Sequence, residues 1–194
     1  MAYYLHKIIF VALVVAIAVP SSLGRREKSD LENDLRDLCS QTNKTKKCWN
    51  IIKSEFSRFS DADGNKGVAG VVIDLAIAKS DEIHDKLNQL YDDSKNDELK
   101  EKYLSCSKNY NDASRNLDLA RRNLDSDDYR NISVQIDDTS DELKSCKHEF
   151  KKDSFDPAHI RNRNKEFKIY VEIVKVATDR LLQENDQPQE GNIN

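Results

Sequence analysis

Apolar residues recur every three or four positions along most of the chain, which is the pattern of helices that bury one face. Short polar stretches divide the pattern into six stripes. They are Leu31, Leu35, Leu38; Trp49, Ile52, Phe56, Phe59; Val72, Leu75, Ile83, Leu87, Leu90; Tyr103, Cys106, Tyr110, Ala113, Leu117, Ala120, Leu124; Ile132, Ile136, Thr139, Leu143, Cys146, Phe150; and Phe167, Tyr170, Val174, Ala177, Leu181. Long amphipathic helices with short links bury such stripes best against one another. We therefore predict an all-α protein, an up-down-up-down four-helix bundle preceded by a short N-terminal helical hairpin.

Polar residues between the stripes predict where the helices begin and end. Ser29 and Glu32 have the spacing of a capping box, so the first helix is predicted to begin there. The stretch 61–67 (DADGNKG) is predicted as a solvated turn, and the next helix spans Val68–Tyr91. The stretch 126–128 (SDD) is predicted as the turn between the fourth and fifth stripes.

The start of the chain has the layout of a secretory signal peptide. Lys7 precedes an unbroken apolar run, Ile8–Val19, and small residues ending at Gly24 follow. This run is too short to span a bilayer core of ~30 Å, although a membrane anchor is the alternative. We predict a signal peptide over 1–24, the bundle domain over 25–184 and a disordered polar tail over 185–194.

Four cysteines remain after the predicted leader, and an oxidising compartment favours disulfides. Cys39 and Cys48 bracket a short polar stretch that a local bridge can close. Cys106 and Cys146 lie at equal distances from residue 126, so two antiparallel helices joined at that turn place them at the same height. We predict the disulfides Cys39–Cys48 and Cys106–Cys146. Zinc is the competing use of cysteine, but no CxxC or HxxxH spacing supports it.

Two tripeptides match the acceptor pattern for N-glycosylation, which is used on secreted chains. They begin at Asn43 (Asn-Lys-Thr) and at Asn131 (Asn-Ile-Ser), and each lies beside a predicted loop. We predict Asn43 and Asn131 as glycosylation candidates.

Composition and motifs disfavour several function classes. Charged residues make up 34% of the chain but the net charge is −4, which argues against a nucleic-acid partner. The chain has only five glycines and three prolines, too few for the turns of a sheet protein. No nucleophile elbow of the G-x-S-x-G type occurs, and His84 is interpreted as a solvated helix residue. We predict a binding protein with no catalytic residues, no cofactor and no metal.

Several of these features together resemble the plant invertase/pectin methylesterase inhibitor family. They are the Cys39–Cys48 loop; the run from Cys106 through Tyr110, Asp112 and Ala113 to Leu117; the turn Ser126-Asp127-Asp128-Tyr129; and the segment from Cys146 to Phe150. The resemblance covers about residues 31–182. Within the family, the turn 126–129 and the acidic surface are similar to the branch that contains a pollen allergen described as an invertase inhibitor. It implies a helical hairpin and four-helix bundle with two disulfides, in a protein of the apoplast or cell wall.

The resemblance also implies a function, the stoichiometric inhibition of a plant cell-wall carbohydrate-active enzyme by occlusion of its active site. Invertase inhibitors of this family often carry Pro-Lys-Phe in the turn before the second disulfide helix. This chain has Asp127, Asp128 and Tyr129 there, so we favour pectin methylesterase (pectinesterase) as the target, with acid invertase (beta-fructofuranosidase) as the alternative. These three residues are the candidate partner-binding residues. The expected state is a monomer in a 1:1 complex, away from membranes once the leader is cleaved.

Two functions of other classes stay open at this point. One is a secreted structural or signalling bundle that inhibits nothing. The other is a carrier of a small ligand held inside the bundle, which would need small residues along a stripe, whereas these stripes consist mostly of Leu, Ile and aromatic residues.

Overall fold

The computed structural model describes residues 28–151 and 155–186, and in these residues it contains seven helices and no strand. The helices are α1 (Lys28–Ser40), α2 (Thr45–Ser54), α3 (Phe56–Ser60), α4 (Gly64–Asp93), α5 (Asp97–Asp125), α6 (Tyr129–Glu149) and α7 (Ile160–Asp186). The all-α prediction is confirmed. The predicted signal peptide lies outside the described residues, as does the predicted tail from residue 187. Helix α7 runs two residues into the tail predicted from 185.

The four long helices form a closed up-down bundle, because α4 and α6 each pack against both α5 and α7. The predicted stripes point to its axis, which is filled by fully buried side chains that include Tyr110, Phe150, Phe167, Leu117 and Leu124. An axis filled by such large side chains disfavours the carrier hypothesis. The predicted bundle topology is confirmed.

The N-terminal hairpin is formed by α1 and α2 and packs against α7, while the short α3 packs against α4. Arg180 Nη2 lies 2.6 Å from Asp37 Oδ2 across this contact. Helix α7, which packs against both the bundle and the hairpin, also buries Ile169, Val171 and Ile173, which the predicted stripe did not include.

Both predicted disulfides are present, with Cα–Cα distances of 5.5 Å for Cys39–Cys48 and 4.6 Å for Cys106–Cys146. The second pair requires α5 and α6 to approach closely. Ser105, next to Cys106, donates to Glu149 of α6 at 2.9 Å across the same contact.

Three helix boundaries differ from the prediction. Helix α1 already includes Lys28, so Ser29 lies inside the helix instead of capping it. The second stripe is interrupted at Glu55, which separates α2 from α3. Helix α4 begins at Gly64, ahead of the predicted start at Val68. Gly64 adopts a positive φ of 58°, which suits a residue without Cβ.

Candidate functional site at the base of the bundle

The predicted partner-binding residues lie at one end of the bundle, which we call the base. It consists of the first turn of α4, the link 126–128 with the start of α6, and the last turns of α7. Two contacts join these elements: Lys66 pairs with Asp127, and the Asn65 side-chain amide donates to Glu184. Sequence-distant segments are therefore held together around the turn.

Backbone hydrogen bonds close the turn between α5 and α6 and set its shape. The Ser126 N–H donates to the Arg122 carbonyl (3.1 Å), and the Asp128 N–H donates to the Asn123 carbonyl (2.8 Å). Between them Asp127 adopts a left-handed backbone conformation with a φ of 60°, which Asp tolerates better than most residues. The predicted turn is confirmed, and its backbone is well satisfied.

The Asp127 carboxylate is the centre of a three-residue contact that we call the clasp. Asp127 Oδ1 accepts from Lys66 Nζ at 2.6 Å and from the Tyr129 hydroxyl at 2.5 Å. The hydrogen bond from Lys66, followed by that from Tyr129, holds the pKa of Asp127 below its ordinary value. The bond between Tyr129 and Asp127 also raises the pKa of Tyr129 to about 12. The clasp therefore favours the ionised form of Asp127, whose charge is paired with that of Lys66.

Of the predicted residues, the structure brings Asp127, Asp128, Tyr129 and Asn131 together. Asn131 Nδ2 donates to Asp128 Oδ2 at 2.6 Å. The Tyr129 ring is half-buried against the core and its hydroxyl is directed to its own turn, so a partner meets its edge and not a free side chain. The predicted site at Asn43 lies elsewhere, at the tip of the hairpin.

A cleft of about 470 Å³ lies beside the clasp and shares Lys66 with it. It is lined by Arg58, Asp61, Ala62, Asp63, Lys66, Gly67, Gly70, Val71, Asp74, Arg121, Leu124 and Asp125. Arg121 contacts both Asp74 (Nε–Oδ1, 3.2 Å) and Asp125, so the charges inside the cleft are paired. Sequence reasoning missed this cleft because its residues come from two distant segments, 58–74 and 121–125, that no local pattern connects.

The prediction of a solvated His84 is wrong. Its Nδ1 lies 2.9 Å from the Ser107 carbonyl oxygen, and its Nε2 lies 3.1 Å from Asn88 Nδ2. Nδ1–H therefore donates to the carbonyl and is not available to take a proton from the Ser107 hydroxyl, which instead donates to Asn88. Since Ser107 is also only 3% exposed, this group ties α4 to α5 and does not form a nucleophile with its base.

Within 28–151 and 155–186, no group of three or more His, Cys, Asp or Glu side chains is arranged to hold a metal ion. No helix in that part of the chain combines the length and the apolar character needed to cross a bilayer.

Fold and site together define a disulfide-linked helical bundle whose base presents paired charges on a closed turn. Comparison with known proteins agrees with this class. The family model described as "Plant invertase/pectin methylesterase inhibitor" matches residues 33–179, and the chain belongs to this family. Because the family consists of enzyme inhibitors, the prediction that the chain is not itself an enzyme is confirmed.

Individual relatives show the same likeness. The chain is 26% identical over 179 residues to a pectinesterase inhibitor of Actinidia deliciosa, covering 92% of this chain and 96% of the relative. It is similar in fold to the crystal structure of mutant form A of a pectin methylesterase inhibitor from Arabidopsis, with a TM-score of 0.66, 21% identity, and coverage of 75% and 95%. A second structure, of a pectin methylesterase inhibitor from Arabidopsis thaliana, gives a TM-score of 0.57 at 21% identity, covering 77% and 96%.

Proposed function

We propose that this protein inhibits a plant cell-wall carbohydrate-active enzyme by binding it stoichiometrically and covering its active site, and that the enzyme is pectin methylesterase. The observation that carries the proposal is membership of the inhibitor family over residues 33–179. The relative from Actinidia deliciosa, which is named a pectinesterase inhibitor, favours this target. The absence of Pro-Lys-Phe from the turn 126–129 favours it as well.

Acid invertase is the second candidate target. The family model names both classes of inhibitor, and 26% identity to one relative does not separate them. One pair of titrations, one against each enzyme, distinguishes the two targets.

The base supplies the contact surface in this proposal. A turn closed by its own hydrogen bonds loses little conformational entropy when a partner docks, which favours tight binding. The Asp127 side chain is 63% exposed, so a basic group on the rim of a partner can contact its carboxylate beside Lys66. Its lowered pKa keeps it ionised at the acidic pH of the cell wall. Tyr129 adds an aromatic edge of the kind enriched at interfaces.

The proposal includes secretion to the apoplast and a monomer in a 1:1 complex. Two disulfides among the described residues support export, because such bridges persist in oxidising compartments. Asn43 and Asn131, both exposed, are proposed as N-glycan acceptors of the exported chain.

Titration of purified pectin methylesterase and acid invertase with the protein, at acidic pH, tests the function. We expect pectin methylesterase activity to fall to zero near one equivalent and invertase activity to persist. The opposite result assigns the protein to invertase. If both enzymes stay active, the proposal is wrong and a non-inhibitory secreted bundle takes its place.

A charge-only variant tests the place of the base in the complex. Asp127→Asn keeps a residue that tolerates the left-handed backbone but removes the charge that pairs with Lys66. We expect it to weaken inhibition about tenfold, equivalent to about 1.4 kcal/mol. The matched control is Asp93→Asn, the same change on an exposed residue at the opposite end of the bundle. Equal inhibition by the two variants would remove the clasp from the interface.

A further inference from the structure

The side chain of Asn131, a candidate glycan acceptor, contacts the turn that forms the proposed docking surface. Its Nδ2, the atom to which an N-glycan is attached, donates to Asp128 Oδ2 at 2.6 Å. The rest of the acceptor tripeptide holds this position: Ile132 is fully buried, and the Ser133 hydroxyl donates to the Arg130 carbonyl at 2.8 Å. Asn131 is therefore an exposed residue in the first turn of α6 whose amide is held beside the turn.

The second acceptor tripeptide lies in a different place. The Asn43 N–H donates to Glu172 Oε1 at 2.7 Å, and its side-chain amide contacts the same carboxylate. Glu172 belongs to the middle of α7, so Asn43, at the hairpin tip, lies against the flank of the bundle. The chain thus contains a matched internal control, one acceptor at the base and one away from it.

From this geometry we infer that Asn131 carries an N-glycan that covers the turn 126–129, so that occupancy of this one site controls whether the base can dock on the target enzyme. The inference rests on the proposed function and on secretion. In the transfer, the bond from C1 of the first sugar to an oxygen of the lipid diphosphate breaks, C1 bonds to Nδ2, the amide loses one proton, and the lipid diphosphate leaves without the oligosaccharide. An amide nitrogen has two hydrogens, so one remains to donate to Asp128 and the turn keeps its contact.

The physical effect of the glycan is steric. An N-glycan is bulky and strongly hydrated, and here its first sugar would begin at an atom in contact with a carboxylate of the turn. A partner could then reach Asp127 and Tyr129 only by displacing it. A glycan on Asn43 has no such effect, since it begins at the hairpin tip, beside the middle of α7 and away from the base.

The first measurement establishes the modification. The full chain, secreted from plant cells, is digested with peptide N-glycosidase A in heavy-oxygen water, and its peptides are mapped by mass spectrometry. We expect label at Asn131. An unlabelled, unmodified Asn131 overturns the inference whatever the inhibition assays show.

The second measurement tests the effect on docking. Ser133→Ala removes the acceptor pattern but leaves the Asn131 side chain in place, and Asn131→Gln removes the acceptor itself. We expect both to inhibit pectin methylesterase about tenfold more tightly than the glycosylated chain, while Asn43→Gln stays within about twofold of it. Equal affinities of the glycosylated chain and Ser133→Ala overturn the inference.

A third measurement separates this inference from the proposed function. If no form inhibits either enzyme, the proposed function fails, and coverage of the turn is then read from hydroxyl-radical oxidation of Tyr129. We expect slower oxidation in the glycosylated chain than in Ser133→Ala. Equal oxidation rates overturn the inference without reference to any partner.

Discussion

At the scale of single residues, two glycines of α4 that line the cleft differ in what surrounds them. A Cβ on Gly67 would lie 2.9 Å from the backbone carbon of Ala62, which cannot move without shifting the link before α4. A Cβ on Gly70 would lie 3.6 Å from Arg121 and Leu124 side-chain atoms, an ordinary contact distance. The first glycine is thus required by packing, and the second is not.

We expect opposite results when these glycines are replaced by alanine. Gly67→Ala should lower the free energy of unfolding by about 1–3 kcal/mol, because the added methyl group overpacks against backbone. Gly70→Ala should leave it unchanged or raise it by up to about 1 kcal/mol, because alanine has the higher helix propensity. Urea unfolding followed by circular dichroism measures both. A loss of stability in both variants would show that any side chain on this face is harmful.

At this scale, structure formed by residues adjacent in sequence could be predicted, whereas contacts between residues distant in sequence could not. The turn could be predicted because Ser126, Asp127 and Asp128 are adjacent turn-forming residues. Lys66, which pairs with Asp127 in the clasp, precedes it by 61 residues, and no local pattern connects the two. His84 was misassigned for the same reason, because its partner Ser107 lies on another helix and only the register of α4 against α5 brings them together.

At the scale of helices, the two disulfides constrain loops of very different length. Their cysteines are separated by 40 residues in Cys106–Cys146 and by 9 in Cys39–Cys48. Loop entropy predicts losses of about 4 and about 3 kcal/mol respectively when each pair is replaced by alanine. Urea unfolding of the two double variants tests this order. A larger loss for Cys39–Cys48 would mean that anchoring of the hairpin on α7 outweighs loop entropy.

The helical faces were predictable because apolar periodicity records which side of a helix is buried. The interruptions between helices were harder to predict. The stripe from Trp49 to Phe59 continues in phase through Glu55, so periodicity alone does not show that α2 ends there. The breadth of the buried face on α7 was also missed, because Ile169 and Ile173 lie off the predicted stripe and the packing of the hairpin against α7 cannot be read from local periodicity.

At the scale of the whole molecule, the acidic residues do not act alike. Asp127 at the base has a lowered pKa because Lys66 and Tyr129 bind its ionised form. Glu142 on α6 has a raised pKa, first because partial burial disfavours its charge and then because Asp112, Asp138 and Asp141 repel it. The fold therefore favours the ionised form of one carboxyl group and disfavours that of the other.

The direction in which Glu142 changes folding stability with pH follows from the linkage between its protonation and folding. Its pKa is higher in the folded chain than the ordinary value of 4.5, so the folded state holds its proton to higher pH than the unfolded state does. This group carries no penalty below pH 4.5 and destabilises the fold progressively as the pH rises through the folded pKa. Acidic conditions therefore reduce the penalty.

Glu142→Gln should therefore raise the urea midpoint at neutral pH, by a free energy of at most about 1 kcal/mol because the site is partly solvated. The gain should shrink as the pH falls and vanish below pH 4.5, where Glu142 is protonated in both states. Glu101→Gln removes the same charge from an exposed position on α5 and serves as the control. A gain that persists unchanged at low pH would show that the glutamine acts through packing, and that repulsion among the acidic side chains of α5 and α6 does not determine the stability of this surface.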